Sequence, residues 1–230
     1  RMFVTLVIAA ATMLYLRSPI IIFGPRILWY RTFFGSCAMC CTFYSLTHMP
    51  ITHAATILSM NPIWISVILF LVFKHRTPRA VWGYATLALC GVFLMHRPTF
   101  DSASFPMLVA LAASILIACA KVTLGRCGAL PTPAVVLHFT GVASLVMLVV
   151  TLLNPDPIVL AGGTIPPNLW LGLLALGITG AIGQVLLTIA LRRGHPTIVS
   201  LVGLSQIPMA ATIDFLYWGR TLDLWHVVGI

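Results

Sequence analysis

The sequence predicts an all-α protein that crosses a membrane several times as a bundle of helices. Of the 230 residues, 60% are hydrophobic and only 7% are charged, and the mean hydropathy is +1.06. Soluble domains carry about 25% charged residues, so this chain lacks the polar groups needed to cover a water-exposed surface. The apolar residues also fall in runs of about 20, the length at which a helix spans a bilayer.

Eight apolar runs predict the membrane spans, and a ninth run begins near residue 224. In chain order the eight runs are residues 2–16, 27–47, 51–73, 80–96, 104–124, 132–153, 168–190 and 196–218. Prolines stand at the entries of several runs, where the first turn of a helix tolerates them. The longest connection, residues 154–167, contains nothing that indicates a separate domain.

The basic residues predict which ends of the spans face the cytoplasm. When successive connections are assigned to alternate sides, one side receives Arg17, Arg26, Arg31, Lys74, Arg76, Arg79, Lys121, Arg126, Arg192 and Arg193. The other side receives Arg97 and Arg220, together with Asp101, Asp156 and Asp223. Cytoplasmic loops are enriched in Lys and Arg, so the first side is predicted to be cytoplasmic. These scattered clusters do not form the continuous basic face that binds nucleic acid.

Two spans share an unusual pattern of amide and proline residues. Residues 51–73 contain Asn61-Pro62 near their middle, and residues 196–218 contain Gln206 and Pro208. Proline removes a backbone hydrogen bond and kinks a helix. The surrounding sequences align at an offset of 145 to 146 residues, and five predicted spans separate their leading loops. Because five is odd, the two copies cross in opposite directions, as in the inverted repeats of transporters.

Short motifs over nearly the whole chain match those of a known family. They are Tyr44 to Pro50, Ala54-Ala55, Asn61-Pro62, Trp82-Gly83, Gly91-Val92, Ala190 to Arg193, Pro196-Thr197 and Trp225 to Gly229. On these residues the chain resembles the EamA-type branch of the drug/metabolite transporter superfamily and its solute carrier 35 relatives. The resemblance implies ten helices in a five-plus-five inverted repeat with both termini cytoplasmic. It makes residues 1–98 the first repeat without its first helix, and residues 99–230 the second with an incomplete last helix.

Polar side chains inside the spans are the candidate substrate-binding residues, because such groups are costly in a bilayer and are often functional. They are Asn61, Gln206, Gln184, Tyr44 and Asp214. Asn61 and Gln206 lie mid-span in equivalent places of the two halves. For the amides, the alternative is a helix–helix hydrogen bond. Asp214 could instead reach the lipid headgroups, and Tyr44 could be an interfacial anchor.

Other residues of the spans have mainly structural interpretations. His53 and His138 are weaker site candidates, for which a hydrogen-bonded packing role is the alternative. Gly172, Gly177, Gly180 and Gly183 are predicted to allow close approach of helices. Cys37, Cys40 and Cys41 share one helix face and are predicted to be small residues at a helix contact, with a metal or redox role as the alternative.

These patterns predict a secondary transporter of a small organic solute in the plasma membrane or an organelle membrane. The sequence contains no nucleotide-binding loop and no motif of a soluble enzyme, so we expect no catalytic site and no cofactor. The expected partners are a small-molecule substrate and the lipid bilayer, and a homodimer is left open. The alternatives are a non-transporting membrane scaffold or regulator on the same fold, and an intramembrane enzyme.

Overall fold

The computed structural model of this protein is helical throughout the part of the chain that it describes. The described residues are 2–15, 17, 21, 24–49, 51–74, 82–83, 85–87, 89–91, 104–128, 130–153, 167–207, 209 and 212. Their helices are α1 (Met2–Tyr15), α2 (Arg26–His48), α3 (Ile51–Leu58), α4 (Asn61–Phe73), α5 (Ser104–Gly125), α6 (Thr132–Leu153), α7 (Pro167–Arg193) and α8 (Pro196–Gly203). The predicted all-α helical bundle is therefore confirmed. Most of the predicted span 80–96, the second half of 196–218 and the run from residue 224 lie outside the described residues.

Four of the described helical segments are long and apolar enough to cross a membrane. They are His53–Phe73, Phe105–Gly125, Thr132–Leu153 and Trp170–Arg193, and Val4–Tyr15 is a shorter apolar helix. Large apolar side chains on these helices are exposed, among them Phe70, Leu71 and Val72 of α4. Lipid contact removes the cost of exposing such side chains to water. The protein is an integral, multi-pass membrane protein.

The chain forms two compact units, each built from segments distant in sequence. The first unit contains residues 1–36 and 123–193, and the second contains residues 37–122 and 194–230. Helices α2 and α5 each contribute residues to both units, since the boundaries at 36/37 and 122/123 fall inside them.

In the first unit, α1 packs against α6 and α7. The contact with α7 depends on Gly177, because a Cβ at that position would lie 2.6 Å from the Cβ of Val4. The predicted packing role is therefore confirmed at Gly177. At Gly172 and Gly183, an added Cβ would have no neighbour within 4 Å among the described residues.

Arg31 lies in the second turn of α2, within the predicted span 27–47. Its side chain is only 6% exposed, and its guanidinium lies 4.2 Å from the centre of the Phe139 ring. A guanidinium over an aromatic face is attracted by the electron density of the ring. On the same two helices, His138 Nδ1 lies 2.8 Å from Thr32 Oγ1. His138 is thus placed in a packed contact, as its structural interpretation predicts.

Arg192, at the end of α7, connects this helix to the segment between α5 and α6. Its Nη1 donates a hydrogen bond to Thr132 Oγ1 at 2.7 Å, and its Nη2 donates one to the Gly128 carbonyl at 2.5 Å. Cys127 is buried in this segment. Burial raises the pKa of the Cys127 thiol, and the charges of Arg31 and Arg192 offset part of that rise. The thiol is therefore neutral at physiological pH.

In the second unit, α3 and α4 run beside α5 in the same direction. One apolar cluster joins Met49, Ala54 and Ile57 to Ala110, and a second joins Ile65 and Leu69 to Ala118 and Val122. Residue numbers increase together along the two contacting stretches, so the helices are parallel. This direction agrees with the charge-based prediction that both spans enter from the same side of the membrane.

Candidate functional site

The site is built around a break between α3 and α4. Helix α3 ends at Leu58, Ser59 and Met60 form a turn, and α4 begins at Asn61. The Met60 N–H donates to the Ile57 carbonyl at 3.1 Å, and the Ile63 N–H donates to the Met60 carbonyl at 3.0 Å. Hydrogen bonds between residues three positions apart wind the backbone more tightly than the four-residue bonds of an α-helix. The break lies where the Asn61-Pro62 pair predicts it.

The Asn61 side chain compensates for the hydrogen bond that proline removes. In a regular helix the Leu58 carbonyl would accept from the N–H of residue 62, but Pro62 has none. Asn61 Nδ2 donates to this carbonyl at 2.8 Å instead. That bond orients the amide, so Asn61 Oδ1 accepts a hydrogen bond from Lys121 Nζ, also at 2.8 Å.

Lys121 is a residue of the site that sequence reasoning counted only as a charge of the cytoplasmic side. It belongs to α5, which continues to Gly125. Helical side chains lean toward the N-terminus of their helix, so the ammonium group reaches back from the end of α5 toward the break. The available signal was the position of Lys121 inside the predicted span 104–124, where a charge is costly.

The second broken segment shares two backbone hydrogen bonds with the first, although the Ser59 N–H donates four residues back, to Ala55, and the Leu204 N–H three residues back, to Leu201. Helix α8 ends at Gly203, Leu204 and Ser205 form a turn, and the helix resumes at Gln206. The Ser205 N–H donates to the Val202 carbonyl at 3.0 Å, and the Met209 N–H donates to the Ser205 carbonyl at 3.2 Å. An offset of 145 residues superimposes these two bonds on those from Met60 to Ile57 and from Trp64 to Met60. Asn61 and Gln206 therefore hold equivalent positions, each first after the turn.

The two broken segments also contact each other within the second unit. Ser66 Oγ on α4 donates to Thr197 Oγ1 on α8 at 3.3 Å, and both side chains are buried. Gln206 differs from Asn61 in that its side chain is exposed. An exposed amide is unfavourable against lipid, so this position suits a water-filled path between helices.

The other predicted site residues occupy separate places. Gln184 is half-buried on α7, in the first unit. Tyr44 belongs to the second unit, where its ring stacks on the His48 ring with the ring centres 4.1 Å apart. The Phe105 ring packs edge-on against Tyr44 with the ring centres 5.9 Å apart. Asp214 lies outside the described residues. The structure thus brings Asn61 together with Lys121, and it places Asn61 and Gln206 at matching points of two touching segments.

The cysteines do not form a covalent framework in this structure. All six are free thiols, and Cys37, Cys40 and Cys41 are half-buried along α2. Among the residues that the structure describes, no three His, Cys, Asp or Glu side chains are grouped so that they could hold a metal ion.

Comparison with known proteins gives relatives over nearly the whole chain. The pseudopaline exporter CntI of Pseudomonas aeruginosa (strain UCBPP-PA14) is 28% identical over 210 residues, which cover 90% of this chain and 71% of the relative. An uncharacterized transporter of Helicobacter pylori (strain J99) is 26% identical over 213 residues, covering 90% and 70%. These relatives are named as transporters.

A solved crystal structure is similar in fold. It superimposes with a TM-score of 0.82 at 17% sequence identity, covering 99% of this chain and 80% of the other. At this identity the likeness shows the fold alone. The sequence profile of the EamA-like transporter family matches residues 103–230, more than half of the chain. With this match the family suggested by the motifs is confirmed, and the chain belongs to the EamA-like transporter family.

Proposed function

We propose that this protein is a secondary transporter that moves a small organic solute across the membrane by alternating access. The observation that supports it most is the pair of similar helix breaks, with Asn61 and Gln206 each first after the turn. A break frees backbone groups and places a side-chain amide at mid-depth, where transporters bind their solutes. One relative is named an exporter, and we infer that this chain also carries a small organic compound.

In this proposal residues 1–98 and 99–230 are two inverted repeats that rock against each other. The candidate residues for solute contact are Asn61, Gln206, Gln184, Tyr44 and Asp214. The buried hydrogen bond between Ser66 and Thr197 helps to hold the broken segments together. The direction of transport follows a gradient of the solute or of a coupled ion.

The proposal predicts that Gln206→Ala lowers solute flux in proteoliposomes about fivefold or more, because one lost solute hydrogen bond is worth roughly 1 kcal/mol or more. The solute is first identified by its stabilisation of the purified protein, since a ligand of the native state raises the unfolding temperature. The Gln206 side chain is exposed, so its truncation should leave the fold intact.

Thr151→Ala is the matched control, because Thr151 is exposed and its hydroxyl bonds only its own helix, at the Met147 carbonyl. This variant should transport at the normal rate, whereas Asn61→Ala should lose flux as Gln206→Ala does. Normal flux in both amide variants would refute the assignment of the site. Absence of flux for every solute that stabilises the protein would favour the scaffold alternative.

A further inference from the structure

The ammonium group of Lys121 is held far from either end of the broken segment formed by α3 and α4. Its partner Asn61 is separated from Phe73, at the end of α4, by about 18 Å at 1.5 Å per residue. Asn61 is also about 15 Å from Ile51, at the start of α3. Since the hydrocarbon core is about 30 Å thick, the charge lies near the middle of the membrane.

Among the described residues, the Asn61 amide is the hydrogen-bond partner of this charge. An ammonium group has three N–H donors, and the neutral Asn61 amide accepts one of them. A buried cation is stable only when it is paired with an anion or fully hydrogen-bonded. The four carboxylates of the chain, on Asp101, Asp156, Asp214 and Asp223, all lie outside the described residues.

Two further donors lie on the same helix faces as these residues. Ser114 is two turns before Lys121 on α5, and Trp64 is one turn after Asn61 on α4, spacings that share a helix face. The Ser114 hydroxyl and the Trp64 Nε1 are both buried, and neither has a hydrogen-bond partner among the described residues. Buried polar groups in native proteins nearly always have partners. Unused donors on the helix faces that carry Lys121 and Asn61 suit the oxygens of an anion.

We propose that Lys121, with Asn61, Ser114 and Trp64, binds an anionic group of the transported solute, a carboxylate or a phosphate. This inference rests on the proposed transport function and narrows it to organic anions. Lys121 supplies the charge, and the amide, the indole and the hydroxyl supply directional N–H and O–H bonds. Hydrogen bonds to ionised groups are about twice as strong as neutral ones, so the charge dominates recognition of the solute.

The test compares acids with their neutral counterparts on the purified protein in an uncharged detergent, without anionic lipid. The probes are succinate with succinamide, glutamate with glutamine, and glycerol 3-phosphate with glycerol, and the readout is the rise in unfolding temperature. We expect at least one acid to stabilise the protein while its neutral counterpart does not. Because the detergent contains no anionic lipid, stabilisation there shows that the site binds a soluble anion. The identity of the acid that binds shows whether the site prefers a carboxylate or a phosphate.

Variants locate the binding at Lys121. Lys121→Gln should weaken binding of the acid by roughly tenfold or more, the loss expected for one charge-assisted hydrogen bond, and Lys121→Arg should retain much of it. Lys74→Gln is the control, because Lys74 is exposed at the end of α4 and its loss changes the net charge equally. Equal binding by the Lys121→Gln and Lys74→Gln variants would overturn the proposal.

Two other results would also overturn it. One is that no acid stabilises the protein better than its neutral counterpart. The other is that Asp214→Asn restores the stability of Lys121→Gln, because Lys121 would then have a permanent partner within the chain.

If a neutral solute is carried and its flux depends on Gln206, the transport function stands and only the anion assignment fails. If an acid binds through Lys121 but no flux depends on Asn61 or Gln206, the transport site itself is wrong.

Discussion

Replacing Asn61 with alanine is expected to lower the free energy of unfolding by about 2–3 kcal/mol, because a hydrogen bond to a charged group is lost inside the membrane. The substitution removes both bonds of the amide, to the Leu58 carbonyl and from Lys121 Nζ. It also leaves the ammonium group of Lys121 without its observed partner. Ordinary interhelical hydrogen bonds in membranes average about 0.6 kcal/mol, so the charge sets the size of this effect.

A double-mutant cycle isolates the part that belongs to the pair. Unfolding of Asn61→Ala, Lys121→Met and the double variant in mixed micelles should give a coupling energy of about 1–2 kcal/mol, within the range for residues in direct contact. Lys74→Met replaces Lys121→Met in the control cycle, and its effect should add to that of Asn61→Ala within about 0.5 kcal/mol. Additive effects in the first cycle would show that the Asn61–Lys121 bond contributes nothing to stability.

Arg192→Ala is expected to destabilise the protein by about 2–3 kcal/mol, since it removes two hydrogen bonds from one guanidinium. These bonds fasten the end of α7 to Thr132 and to the Gly128 carbonyl. Arg192→Lys should recover less than half of the loss, because a lysine ammonium cannot reproduce the two-pronged geometry of arginine. The measurement is the shift of the unfolding midpoint in a denaturant titration.

The neighbouring residue provides the control for charge. Arg193 is exposed, and Arg193→Ala changes the net charge by the same amount. Surface substitutions of this kind usually alter stability by less than about 0.5 kcal/mol. Equal stability of the two alanine variants would mean that Arg192 contributes only a positive charge on the cytoplasmic side, as the sequence alone suggests.

The helix breaks could be predicted from sequence because their causes are local. Proline at position 62 leaves the Leu58 carbonyl without a donor whatever surrounds it, and the adjacent asparagine is the residue able to replace that donor. The equivalence of Asn61 and Gln206 followed from aligning two stretches of the chain. Apolar runs likewise predicted α5, α6 and α7 closely, because hydrocarbon thickness fixes the length of a spanning helix.

The contacts of the long basic side chains could not be predicted in this way. Charge counting treats Arg31, Lys121 and Arg192 only as equivalent charges of one side of the membrane, although they reach Phe139, Asn61 and Thr132 respectively. Each partner is 60 or more positions away in the sequence, and a side chain of this length can extend toward the membrane surface or back into the bundle. Only the packing of helices distant in sequence decides between these directions.

Access to positions 61 and 206 from the two sides of the membrane tests alternating access most directly. In a variant whose six cysteines are replaced, single cysteines at Asn61, Gln206 and Leu71 would be exposed to a membrane-impermeant thiol reagent applied to each side. Leu71 is 68% exposed on α4 and should remain unlabelled in lipid. We predict that Gln206→Cys and Asn61→Cys are labelled from both sides, and that bound solute slows the labelling. Labelling of both positions from one side only, or from neither, would contradict the account.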